Sequence, residues 1–146
     1  MRTALATFLI GVSMAFTGAA QAQDVITYDF EGSFEDATFA LESAIVDRGL
    51  VIDYVSHVGD MLNRTGEDVG SEEVIFENAD IFLFCSAAVS RRVMEEDPMN
   101  IVHCPYSIFV AERDGEVMMG HRAYPGGPMQ EVEAMLDSII LSARGM

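Results

Sequence analysis

The chain has 146 residues, half of them hydrophobic, enough for one domain with a real core. It carries 24 acidic residues against eight arginines and no lysine, for a net charge of −16. That excess repels phosphate backbones and anionic membranes, which argues against nucleic acid as a partner, and the missing lysine removes Schiff-base and lysine general-base chemistry.

The first residues read as a leader. Arg2 gives a positive start, Ala4 to Phe16 is an uncharged and largely apolar core, and Ala20-Gln21-Ala22 is a small-x-small cleavage site. That order is a secretory signal peptide, expected to be cut after Ala22. A retained membrane anchor fits less well, because the run is short and rich in Gly, Ser, Thr and Ala. The expected product is a single domain over residues 23–146, in the periplasm or secreted, with no membrane association after cleavage. Loss of Arg2 takes its net charge from −16 to −17.

The elements follow in order. "VITYDF" (Val25 to Phe30) alternates like a half-buried strand. Ser33 is an N-cap, Glu35 and Asp36 sit in the first turn, and Phe34, Ala37, Leu41, Ala44 and Ile45 recur at helical spacing up to Gly49. "LVIDYVSH" (Leu50 to His57) returns as a strand. Residues 58–79 form the least regular part, with one helical turn expected at Val58, Met61 and Leu62. "DIFLFC" is apolar on both faces and suits a central strand. Ser86 caps a short helix that stops at Asp97-Pro98. "YSIFVAERDGEVMMGHRAY" is a hairpin turning at Asp114-Gly115. Gly126-Gly127-Pro128 opens the last helix, whose stripe is Met129, Val132, Leu136, Ile139, Ile140 and Ala143. The fold class is α+β: a β-α-β(4)-α order giving a mostly antiparallel sheet covered by two helices. A ferredoxin-like split βαβ is the alternative.

The apolar strand "IFLF", the short helix ending in "DP", the "CP" step opening "YSIFVAE", the hairpin and the final helix together resemble the domain of unknown function 302 family. The resemblance spans nearly all of residues 23–146. It implies the same β-α-β(4)-α fold. The family has no assigned reaction, so it implies no catalytic residues. Cys85-Ser86 stands where the family pattern has Gly-Asn, and Cys104-Pro105 where it has Leu-Pro. The Cys-bearing branch is associated with sulfur-oxidising bacteria, which implies a sulfur-metabolism partner protein.

Cys85 and Cys104 are the only cysteines. Three readings of the pair stay open. The first is a disulfide: one residue ends a strand, the other begins the next, and antiparallel pairing would bring them together. The second is a metal or haem site using His57, Cys85, His103 and Cys104, with Met61, Met94 or Met99 as soft partners for copper or zinc. The third is a reactive thiol at Cys85, before a helix N-terminus, with Arg91 and Arg92 as anion contacts. Against the third, Arg91 and Arg92 are expected to pair with Glu95 and Glu96 on a solvated helix face. His121, in the hairpin, carries less weight as a ligand, and no Ser-His-Asp motif context exists. The leading function is a non-enzymatic, exported binding or accessory domain without a cofactor. It would take a small ligand or form a homodimer through its sheet or edge strands. The alternative is a small redox, metal-binding or sulfur-handling protein that uses the cysteines.

Overall fold

The computed structural model describes residues 25–146, so the expected leader and its cleavage site lie outside the described residues. Five strands form one sheet: β1 (Val25–Phe30), β2 (Val51–Ser56), β3 (Asn78–Cys85), β4 (Tyr106–Arg113) and β5 (Glu116–Arg122). Their order is β1-β5-β4-β3-β2, and every neighbouring pair is antiparallel. The fold is α+β with the expected β-α-β(4)-α frame. The ferredoxin-like alternative does not hold, because three strands rather than one separate β1 from β2.

Helix α1 (Phe34–Val46) carries the chain from one edge of the sheet to the other. Its start is a capping box, with Ser33 and Asp36 each accepting from the other's backbone. Helix α4 (Gln130–Ala143) packs beside it after a single 3-10 turn at Gly127–Met129. Leu41 and Ile45 of α1, Leu136, Ile139 and Ile140 of α4, and Phe84, Ile108 and Met119 of the sheet form one buried core. The β4–β5 hairpin turns through Asp114 (φ 55°) and Gly115 (φ 77°), the left-handed pair that a type I′ turn requires.

Two shorter helices interrupt the strands. Helix α3 (Ala87–Glu96) starts on Ser86, whose hydroxyl accepts from the Val89 N–H, and a 3-10 helix (Pro98–His103) follows. Helix α2 (Val58–Thr65) is longer than the single turn expected. It lies close against β3 because Gly59 has no Cβ: a side chain there would run into the backbone of Asn78 and Ala79. The close approach lets Asn63 donate to the Phe76 and Glu77 carbonyls. Among the described residues, no helix is long and apolar enough to cross a membrane.

Candidate functional site

Strand pairing gathers the candidate residues at one end of the sheet. Phe84 pairs with Tyr106, and Phe109 with Gly120, so Cys85, the start of β4 and the end of β5 lie together. Cys85 and Cys104 are joined by a disulfide, with their Cα atoms 6.7 Å apart. Antiparallel pairing is what permits this. Parallel strands would have left the residues a strand length apart, roughly 17 Å. The bond ties the segment after α3 to the rim of the sheet.

His103, next to Cys104, turns its ring edge-on to Tyr124, with centroids 5.6 Å apart. Its Nδ1 is buried and has no hydrogen-bond partner. Tyr124 also meets Tyr106 at 6.2 Å and His121 at 6.4 Å. Tyr106 accepts a hydrogen bond from Ser90 of α3 at 3.1 Å. The Tyr124 N–H donates to Glu133 of α4 at 2.7 Å. Burial pushes the Tyr124 phenol up to about 12.

Beyond Tyr124 lies a polar strut that strand and helix patterns give no reason to expect. His121 is fully buried. Its Nδ1 lies 2.8 Å from the Arg122 carbonyl, and its Nε2 lies 2.8 Å from Asp137 Oδ1. A carbonyl only accepts, so Nδ1 carries a proton, and Nε2 faces the carboxylate. The Tyr28 hydroxyl donates to the same Oδ1 at 2.7 Å. Burial first, then this bond, raises the Tyr28 phenol to about 12. The guanidinium of Arg144 lies over the Tyr28 ring at 5.7 Å. One carboxylate of α4 thus holds β1 and β5. Strand parity carries the only sequence signal: residues 117, 119 and 121 share the buried face, where a histidine needs a partner.

The other candidates are placed apart. His57 stands at the N-terminus of α2, and its Nδ1 lies 2.7 Å from Asp80 at the start of β3. Asp80 and Cys85 are five positions apart on β3, roughly 17 Å, so His57 does not join the cysteines. Among the described residues, no group of three or more His, Cys, Asp or Glu is arranged to hold a metal ion. Arg91 pairs with Glu95 at 2.5 Å, as the helical spacing implies. Arg92 does not pair with Glu96. It reaches Glu131 of α4, with which it makes a two-pronged contact, because α3 packs against the start of α4. That contact raises Arg92 and lowers Glu131, chiefly by hydrogen bonding. Both arginines are therefore held by carboxylates.

The chain itself matches a known family. Residues 26–124 match the domain of unknown function DUF302. The chain belongs to the DUF302 family. A solved structure of an uncharacterised conserved DUF302 protein from Bacillus stearothermophilus is similar, with a TM-score of 0.57. It is 18% identical, and the match covers 84% of this chain and 88% of that one. At that identity the likeness speaks for the fold of this DUF302 domain. No curated protein matches.

Proposed function

We propose that this DUF302 chain is an exported domain, closed by the Cys85–Cys104 disulfide, that acts by binding rather than by catalysis. The disulfide carries the reading. Disulfides persist in oxidising compartments, and the first 22 residues have the order of a secretory leader. Internal contacts of ionisable groups support a structural role: His121 with Asp137, and Arg92 with Glu131, are paired within the fold. The test is expression of the full chain in a Gram-negative host, then osmotic-shock fractionation and N-terminal sequencing. Protein that begins at Gln23 in the periplasmic fraction supports the reading. Protein that retains Met1, in membranes or cytosol, sinks it.

One observation favours the second reading, a small redox, metal-binding or sulfur-handling protein. The Nδ1 of His103, adjacent to Cys104, is buried without a partner. An imidazole there would suit proton transfer to a departing thiolate or ligation of a soft metal once the bond is reduced. Copper and zinc titrations of the reduced protein separate the two readings. Stoichiometric binding that falls sharply in Cys104→Ser would favour the second. No binding tighter than micromolar would remove its metal form.

A further inference from the structure

The disulfide is not sealed in the core. Phe84 and Tyr106, the paired residues next to it, have no solvent exposure, yet Cys85 and Cys104 are both only half-buried. A sulfur that water reaches is open to a second thiol, and access is one of the factors that set the rate of thiol–disulfide exchange.

Apolar side chains stand in water around this bond. Val51, the β2 partner of Cys85, is 72% exposed. Ile101 and Val102, just before Cys104, are 54% and 65% exposed. The Cys104 N–H donates to the Ile101 carbonyl at 3.1 Å, which keeps that apolar turn beside the sulfur. Asn100 anchors the same 3-10 helix to α3, donating to the Val93 carbonyl at 2.8 Å. Opening the bond therefore leaves the segment attached.

Charge separates this neighbourhood from the rest of the molecule. The chain carries a net charge of −16, yet no Asp or Glu occurs from Ile81 to Met94 or from Pro98 to Ala111. Carboxylates in these segments would repel an incoming thiolate, and their absence leaves it a path.

We propose that the Cys85–Cys104 bond exchanges with, and oxidises, a polypeptide that presents two thiols among uncharged apolar side chains. This rests on the redox form of the second reading above and names its substrate class. The apolar rim around the bond matches apolar residues flanking the partner's thiols. The net charge disfavours a small anionic thiol such as glutathione, which lacks that compensating contact.

The exchange runs in two steps. The partner's first thiolate attacks Cys104 Sγ, and a mixed disulfide forms. The Cys85–Cys104 bond breaks, and its electron pair leaves on Cys85 Sγ. Cys85 immediately precedes Ser86, the N-cap of the ten-residue α3, so this thiolate leaves at the positive end of a helix. The partner's second thiolate then attacks the partner's own first sulfur and expels the Cys104 thiolate. The partner ends as a disulfide, and its two electrons and two protons end on Cys85 and Cys104.

The test uses oxidised protein from expression of the full chain. The probe is a neutral synthetic peptide with two cysteines among leucines, and glutathione at equal thiol concentration is the comparison. Opening of the bond is read by mass spectrometry after alkylation. The peptide should open it at least about tenfold faster than glutathione. Ile101→Ser with Val102→Ser, both at exposed positions, should slow the peptide about fivefold or more and leave the glutathione rate unchanged, with circular dichroism unaltered. A one-cysteine form of the peptide, quenched with an alkylating agent, should be trapped on Cys104. Equal rates for peptide and glutathione, or a peptide rate untouched by the serine pair, overturn the proposal. Trapping on Cys85 overturns the assigned direction of attack. A bond inert to both thiols overturns the exchange and leaves the first reading, an exported domain with a structural disulfide, standing.

Discussion

Replacing Asp137 with alanine should be among the more damaging single changes on the surface of α4. Its Oδ1 receives the Tyr28 hydroxyl and faces His121 Nε2, and the His121 side chain has no solvent exposure. Removal leaves a buried ring nitrogen unpaired, which costs about 1–3 kcal/mol. The Tyr28 hydroxyl is half-buried and can turn to water, so its lost bond adds about 0.5–1.5 kcal/mol. The sum is about 1.5–4.5 kcal/mol, read as a fall in the urea midpoint at unchanged slope. Tyr28→Phe alone should cost about 1 kcal/mol, and the same change in the Asp137→Ala background should cost much less, since the acceptor has gone. A second readout is independent of stability. The Tyr28 phenol should titrate below its value of about 12 in Asp137→Ala but stay above 10, because burial is the larger cause. A loss under 0.5 kcal/mol, with an unmoved Tyr28 titration, would refute the strut.

Three further outcomes follow from the same geometry. Cys85→Ala with Cys104→Ala opens a loop with a sequence separation of 19. The chain-entropy relation then gives a loss of about 3 kcal/mol at 25 °C, and the variant should remain folded by circular dichroism. Stability should also fall as pH rises from about 10 to about 12. The unfolded phenols ionise near 10, whereas folded Tyr28 and Tyr124 keep their protons to about 12, so the folded state binds more protons only in that window. A urea midpoint that is flat across this range would contradict it. Gly120→Ala would drive a Cβ into the Ile26 carbonyl oxygen and place it 2.6 Å from Phe109 Cζ. The backbone oxygen cannot move cheaply, so thermal melting should show a loss of more than about 2 kcal/mol.

The pattern-bearing elements were legible from residues alone. Ser33 with Asp36, the stripe from Ala37 to Ile45, and Asp114-Gly115 each encode their element locally, and each forms where the pattern places it. Placing Cys85 beside Cys104 needed only the inference that β3 and β4 are antiparallel. The rest depends on contacts between residues far apart in sequence. The docking of α2 rests on a missing Cβ at Gly59 meeting a strand twenty residues on. Arg92 has Glu96 within helical reach, yet α4 offers Glu131 at better geometry, and local spacing cannot reveal that. The His121–Asp137–Tyr28 strut joins three elements across 109 positions. Parity marks His121 as inward-facing, but only the packed sheet and helix name its partner.

The central claim is an exported domain closed by one disulfide, and peptide mapping of the native protein tests it most directly. Protein made with its own leader is taken from the periplasm, alkylated without reductant, digested and analysed by mass spectrometry. The account predicts one joined pair of peptides carrying Cys85 and Cys104, together with an N-terminal peptide that begins at Gln23. Two separately alkylated cysteines, or an intact N-terminal Met1, would contradict it.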